Sequence, residues 1–453
     1  MHQRQNIDLM SNIQRRGGFI EQQAAMSDIL LLAAIVMLVL LFLKVPVYLA
    51  VLGGSMVYFA LNPHVSAAVF AQQTIIGTEK ISLLAIPFFV CAGIFMNYTG
   101  VTKRIMDFCE VVTGRLPGGL AQVNVLLSTV MGGLSGSNIA DAAMESKMMV
   151  PEMTKKGFSL EFSSVVTAAS SMITPLIPPG IAMILYGCIA NVSIGKLFMS
   201  GLGVGALLCI TMMILVGVIS KKRGYGNIST EKMTWSRFWK AFKPAILPLL
   251  LPIIIIGGIR IGVFTATEAG AVAIIYAAFL GLLYKEMHIK DMIQGLKETA
   301  CTTTSIMLIV SAASVFSWIL TKEQIPQALT AWMLANIHSK FVFLIVVNIF
   351  LLIVGMFIEG NASMIILVPL LAPIAKAYGI NEIQFAMIYI FNNAIGALSP
   401  PMGTLMFVTC SITKCKTAAF IKEAVPFYIL LIVNLLLLTW FEPFTTFLVN
   451  LVY

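Results

Sequence analysis

Thr174-Pro-Leu-Ile-Pro-Pro-Gly180 and Ala397-Leu-Ser-Pro-Pro-Met-Gly403 each set a Pro-Pro pair in the middle of a long apolar stretch. A membrane helix cannot run unbroken through Pro-Pro, because each ring removes a backbone N–H and clashes with the preceding turn. Carbonyls freed at bilayer depth are tolerated only where they are buried in protein or line a cavity. Each segment follows a small, polar, glycine-containing interruption: Ser135-Gly136-Ser137-Asn138 in the first half of the chain, Glu359-Gly360-Asn361-Ala362 in the second. Broken helices at corresponding positions of two halves point to the binding site of a secondary transporter.

The composition places both breaks in a polytopic membrane protein. Of the 453 residues, 59% are hydrophobic and 11% charged, and the mean hydropathy is +0.94. A water-soluble core cannot absorb that apolar fraction. The net charge of +9 sits in short loops between apolar runs, so it reads as membrane topology rather than as a nucleic-acid face. The seven cysteines are scattered through apolar stretches, and Cys410 and Cys415 have no histidine nearby, so small buried hydrophobes are expected rather than disulfides or a metal site. Gly201-Leu-Gly203-Val-Gly205 lies inside an apolar run, where close helix packing explains it better than a nucleotide fingerprint does. No HExxH, GxSxG, paired-aspartate or GxxxxGK[ST] pattern occurs, so neither an intramembrane enzyme nor an ATP-driven pump is expected.

Apolar runs predict spans near 28–43, 45–61, 80–98, 160–190, 197–219, 245–259, 265–284, 299–320, 382–411 and 425–448. Two longer segments carry the polar interruptions and read as re-entrant hairpins, over 122–157 and 341–379. The broken helices then occupy 160–190 and 382–411. The expected architecture is an all-α polytopic protein with about ten crossings, five in each half, where an odd number per half turns the second half upside down. Residues 1–27 form a polar tail without the apolar core of a signal peptide, and Met26 is an alternative start to Met1. The first repeat covers 28–219, the second 245–453, and Gly136 to Pro178 and Gly360 to Pro400 match in spacing, about 42 and about 40 residues. The 220–244 connector, with Trp235, Trp239 and flanking lysines, suggests an amphipathic interfacial helix. Its basic residues place it in the cytoplasm, with the loops at 62–79 and 321–340 on the far side. Both termini then lie outside, against which Arg4, Arg15 and Arg16 argue mildly.

Two candidate sites follow. Carbonyls at helix ends suit a hard cation such as Na⁺, and helix N-termini suit an anion. The first site joins Ser135, Gly136, Ser137 and Asn138 to Thr174, Pro178 and Gly180; the second joins Glu359, Gly360, Asn361 and Ser363 to Ser399, Pro400, Gly403 and Thr404. Ser137, Asn138, Glu359, Asn361 and Asn393 are the candidate substrate contacts. Glu359 is the sharpest of these, because an ionisable group at midplane depth is costly; its alternative role is to cap the returning helix. Asn392 and Asn393 face either the same cavity or a neighbouring helix. Asp141 and Glu145 read as lining a water-filled vestibule, and Arg260 and Glu268 as surface residues at a turn.

These stretches resemble the large membrane subunit of tripartite ATP-independent periplasmic (TRAP) transporters, the M or DctM-like subunit. The resemblance rests on Gly132-Gly-Leu-Ser-Gly-Ser-Asn-Ile-Ala-Asp141, Met149-Val-Pro-Glu-Met153, Ile173-Thr-Pro-Leu-Ile-Pro-Pro-Gly180 and Asn393-Ala-Ile-Gly-Ala-Leu-Ser-Pro-Pro-Met-Gly403, and runs from about residue 28 to the C-terminus. It implies Na⁺-coupled symport of an organic acid (a dicarboxylate, a sialic acid or another sugar acid) across the bacterial inner membrane, with no cofactor beyond Na⁺. It also implies a soluble periplasmic binding protein (P), a small four-helix membrane partner (Q) and an elevator movement of the domain carrying the hairpins. The polar tail is too short to contain that partner, so a separate chain is expected. The competing expectation is a stand-alone Na⁺/carboxylate symporter of the divalent-anion type, whose inverted hairpins use similar physics.

Overall fold

The computed structural model describes residues 28–43, 45–226 and 234–453; the expected tail of residues 1–27 and part of the 220–244 connector lie outside the described residues. Every regular element among the described residues is helical. The chain begins with α1 (Asp28–Phe42), α2 (Val47–Leu61), α3 (Ala67–Ile76), α4 (Ala85–Asn97) and α5 (Val101–Thr113). Next come α6 (Gly119–Ser135), α7 (Asn138–Lys155), α8 (Leu160–Ser170), α9 (Ile181–Ala190) and α10 (Ile194–Arg223). The middle of the chain forms α11 (Trp235–Arg260), α12 (Ala266–Tyr284), α13 (Ile289–Lys322), α14 (Ile325–Asn336) and α15 (Lys340–Phe357). The last helices are α16 (Gly360–Ala377), α17 (Glu382–Leu398), α18 (Thr404–Thr413), α19 (Thr417–Trp440) and α20 (Pro443–Val452).

Seven of the described helices are long and apolar enough to cross a membrane, or up to nine spans result if each of two bent helix pairs is one span. The protein is therefore a multi-pass membrane protein. Several expected boundaries change. The first two expected spans are short: α2 has 15 residues, against the ~20 that a crossing needs, and α1 is no longer. The 299–320 span lies within the continuous 34-residue α13, which begins ten residues earlier at Ile289. The 425–448 span is two helices, because Pro443 begins α20 after α19 has ended at Trp440. Trp235 to Lys243 is not a separate interfacial helix but the first turns of α11. The expected far-side loops at 62–79 and 321–340 contain α3 and α14, short apolar helices that a search for full-length spans passes over.

The chain divides into two compact units, one of residues up to Lys80 with Ile306–Ile325, the other of Ile81–Ser305 with Pro326–Tyr453. The smaller unit packs Ala33, Tyr58, Phe59, Val315 and Ile319 together, with Trp318 stacked on Phe59 at 5.6 Å between ring centroids. The Tyr58 hydroxyl donates to Glu323, and Ser311 Oγ donates to the Thr74 carbonyl at 2.6 Å. The larger unit is centred on α17, where every residue from Ile383 to Leu398 is buried. A helix buried on all sides must be surrounded, and α17 is: α15, α16 and α19 pack against it. Both hairpins and both broken helices belong to this unit.

Candidate functional site

The first hairpin is α6 and α7. Helix α6 ends at Ser135, Gly136 turns the chain at φ +63°, and Ser137 caps α7, its side chain accepting from Ala140 N. Only glycine fits at the turn: a Cβ there would lie 2.7 Å from the Pro179 carbonyl oxygen. The Gly136 carbonyl accepts from Ile181 N at 3.3 Å, which lays the tip across the first break. At that break α8 tightens into a 3₁₀ turn, Ser171–Leu176, the chain runs extended at Ile177, and α9 begins at Ile181. The Pro178–Pro179 peptide is cis. The glycines of α10 back this segment: a Cβ on Gly201 would lie 2.3 Å from the Leu176 oxygen, so the glycine run serves packing, as the sequence suggested.

The second hairpin is α15 and α16. Glu359 caps α16, its Oε2 accepting from Ala362 N at 3.0 Å. Asn393 on α17 holds this tip, donating from Nδ2 to the Gly360 carbonyl at 3.0 Å and accepting from Ser363 Oγ at 3.3 Å. The Ser363 and Tyr389 hydroxyls are 3.0 Å apart. The second break spans residues 399–403, again with a cis Pro-Pro peptide, Pro400–Pro401. Ser399 Oγ donates to the Ile395 carbonyl at 2.8 Å, so this hydroxyl satisfies its own helix.

The two halves interlock. The returning arm of the first hairpin, α7, packs against α18 of the second broken helix, and the returning arm of the second, α16, packs against α9 of the first. A cavity of about 50 Å³ lies between the tips, lined by Asn138, Glu359, Asn361, Asn393 and Thr404 among others. Asn138 and Gly360 are the first residues of α7 and α16, Thr404 the first of α18 and Ala182 the second of α9, and all four line the cavity. Four helix N-termini thus converge on one space. Helix C-termini border the same breaks, at Ser135, Leu176, Phe357 and Leu398. Ser135, Gly136, Ser137, Thr174, Pro178, Gly180, Ser399, Pro400 and Gly403 do not line the cavity; they form the tips and breaks beside it. Ser135 Oγ is buried there with no hydrogen-bond partner.

Some residues have different roles from those expected. Asn392 donates to both the carbonyl and the side-chain oxygen of Asn348, at 3.1 and 3.0 Å, so both asparagines bond a neighbouring helix and only Asn393 also lines the cavity. Glu268 forms a capping box with Thr265 at the exposed start of α12. Asp141 and Glu145 line no vestibule: they are 1% and 0% exposed. Thr174 Oγ1 donates to Asp141 Oδ2 at 2.8 Å, a link between the first hairpin and the first break that sequence reasoning missed. Its signal was an i,i+4 acidic pair directly after a hairpin tip. All seven cysteines are free, and all but Cys301 are buried.

The profile of the tripartite ATP-independent periplasmic transporter DctM component matches residues 34–444. The chain belongs to this family. The sialic acid TRAP transporter large permease SiaM of Vibrio cholerae is 38% identical over 407 residues, 90% of this chain and 95% of that protein. The C4-dicarboxylate TRAP large permease DctM of Pseudomonas aeruginosa is 34% identical, over 86% of this chain and 91% of its own length. The sialic acid TRAP permease SiaT of Haemophilus influenzae is 34% identical over 93% of this chain, which covers 68% of that longer protein. Among solved structures, the YdaH transporter of Alcanivorax borkumensis superposes with a TM-score of 0.57 at 14% identity, over 87% of this chain and 96% of that one. That likeness concerns the fold alone. The chain is accordingly a TRAP large permease subunit, one component of a tripartite, ATP-independent system.

Proposed function

We propose that this TRAP subunit is a permease, not an enzyme, and imports an organic acid across the bacterial inner membrane by Na⁺-coupled symport with an elevator movement. The observation that carries the reading is the convergence of four helix N-termini on the cavity between the hairpin tips. A helix N-terminus presents unpaired N–H groups and the positive end of the dipole, which favours an anion. The cavity lining holds no lysine or arginine and one carboxylate, Glu359. A carboxylate substrate therefore needs further positive charge close by, and Na⁺ beside each tip would supply it.

Helix C-terminal carbonyls suit such an ion. At the first site Ser135, Gly136, Ser137 and Asn138 would act with Thr174, Pro178 and Gly180, and the partnerless Ser135 hydroxyl supports that fit. At the second, Glu359, Gly360 and Asn361 would act with Ser399, Pro400, Gly403 and Thr404; Ser399 would offer its carbonyl. Asn138, Glu359, Asn361 and Asn393, which line the cavity, would contact the substrate, whereas Ser137 lies beside it and would act through the cap of α7. The substrates for which two relatives are named, sialic acid and C4-dicarboxylates, are acids of the class this site suits. The hairpins and broken helices would move as one body, carrying the cavity between the two membrane faces. A soluble periplasmic binding protein (P) and a small four-helix membrane subunit (Q) would complete the system.

Proteoliposomes containing the chain and its small membrane partner, with binding protein outside, test this reading. Uptake of a sialic acid or a C4-dicarboxylate should require both an inward Na⁺ gradient and the binding protein. Equal uptake with choline replacing Na⁺ would reject the coupling. Uptake without binding protein would favour the stand-alone symporter instead.

A further inference from the structure

Beside the central cavity, between the hairpin tips, lies a larger one that the transport reading leaves unused. It holds about 330 Å³, against about 50 Å³ for the central cavity. Small-molecule sites typically run to about 300–1,000 Å³, and one water occupies ~30 Å³ of liquid. In this structure the central cavity is therefore closed to about the space of a water or two, and its neighbour is the one of ligand size.

The same three helices line both. Ala182 of α9, Met364 of α16 and Ile390 of α17 line the central cavity; Tyr186, Val368 and Phe385, each about one turn further from the tips, line the outer one. The partition between them is aromatic. The Tyr186 and Tyr389 ring centroids are 6.1 Å apart, and those of Phe385 and Tyr389 are 6.4 Å apart. Behind the partition, the Tyr389 hydroxyl lies 3.0 Å from Ser363 Oγ, which donates to Asn393 Oδ1 in the central lining. The outer cavity extends to Lys376 in the last turn of α16 and Glu382 in the first turn of α17. It thus opens where the second hairpin returns to the side it entered from, the periplasmic side of the expected topology.

Three polar groups face this space. The Lys376 ammonium and the Glu382 carboxylate are exposed and make no ion pair. Tyr186 is 1% exposed, yet its hydroxyl has no hydrogen-bond partner among the described residues, and Glu382 lies within electrostatic reach of it. The rest of the lining is apolar. A cation, an anion and a free hydroxyl on an apolar wall fit a carboxylic acid that also carries hydroxyl groups. Lys376 takes the carboxylate, the Tyr186 hydroxyl donates to an oxygen, and Glu382 accepts from the ligand's hydroxyls. A second carboxylate in place of those hydroxyls would meet the like charge of Glu382.

We propose that the outer cavity is a second binding site for the imported acid, selective for a hydroxylated monocarboxylate over a C4-dicarboxylate, and occupied before the acid passes the Tyr186–Tyr389 partition. As an antechamber the site rests on the import reading. Its occupancy does not depend on Na⁺, because neither hairpin tip takes part in it.

Ala372→Cys on α16 and Ala190→Cys on α9 each put a thiol in the lining, in a Cys301→Ser background because the other cysteines are buried. The chain is reconstituted with its small membrane partner in Na⁺-free lipid nanodiscs and treated with an impermeant thiol reagent. N-acetylneuraminic acid should slow labelling of both thiols, and succinate should not. Lys376→Gln should raise the half-protecting concentration by about tenfold or more, through loss of a charge-assisted hydrogen bond. Thiols that never react, or that react equally fast with and without N-acetylneuraminic acid, would overturn the site. Equal protection by succinate would overturn its selectivity, and protection unchanged in Lys376→Gln would overturn the assignment of Lys376. Should one cysteine variant fail to assemble, the other reads the same cavity. Labelling needs no uptake, so a failed import reading shows as absent Na⁺-driven uptake and a failed outer site as absent protection.

Discussion

Glu359 does two things at one position. Its Oε2 caps α16 through Ala362 N at 3.0 Å, and its side chain lines the cavity. A neutral amide keeps an acceptor oxygen for the cap but removes the charge. Glu359→Gln should therefore insert and assemble normally while uptake falls by about tenfold or more, equivalent to ~1.4 kcal/mol. Proteoliposome uptake normalised to inserted protein checks this, and near-normal turnover would leave Glu359 with the cap alone. Adjacent asparagines should separate cleanly. Asn392→Ala leaves the buried Asn348 Oδ1 without its donor and should cost ~1–3 kcal/mol of stability with uptake per folded molecule retained. Asn393→Ala frees the Gly360 tip and should lower uptake with a smaller shift in melting temperature.

At the scale of elements, each break is held in place by what packs behind it. Pro-Pro ends a helix in any context, but the direction the chain takes afterwards is set by neighbours. At the first break these are the Gly136 carbonyl, bonded to Ile181 N, and the glycine-lined face of α10. A side chain at Gly201 would run into the Leu176 oxygen, so Gly201→Leu should destabilise by ~1–3 kcal/mol of overpacking and should reduce uptake beyond the loss of folded protein. Paired thermal unfolding and transport measurements distinguish this from a purely structural cost. Losing the cap in Ser137→Ala should cost ~1 kcal/mol, which thermal unfolding can resolve.

For the whole molecule, the exchanged packing of α7 with α18 and of α16 with α9 puts parts of both chain halves on each side of one cavity. Charge distribution orients this arrangement in the bilayer. Single cysteines labelled with an impermeant reagent in intact cells, after replacement of the exposed Cys301, should react at position 330 and stay silent at position 230. The reverse pattern would invert the topology. If the hairpin domain moves as an elevator, a cysteine at position 361 should react from the periplasmic side under one ion condition and from the cytoplasmic side under another.

Much of the fold was legible because its signals are local. Pro-Pro inside an apolar run breaks a helix whatever surrounds it, Gly136 must turn because its backbone goes left-handed, and apolar runs of span length have only the membrane as solvent. Those rules located the two Pro-Pro breaks and the interruptions between α6 and α7 and between α15 and α16. Other features depended on distant chain segments. Short helices such as α3 and α14 carry too little apolar length to register as spans, and α11 absorbs an interfacial-looking stretch because the helix runs on from Trp235 through Pro244, Pro248 and Pro252 to Arg260. The choice between Asn392 and Asn393, the burial of Asp141 and Glu145, and the meeting of four helix N-termini depend on which helices pack together. Residue types and spacing determined that this chain breaks its helices inside a membrane. Only the tertiary structure decided which broken ends face one another, because that follows from long-range packing between halves more than two hundred residues apart, such as Ser164 against Thr413.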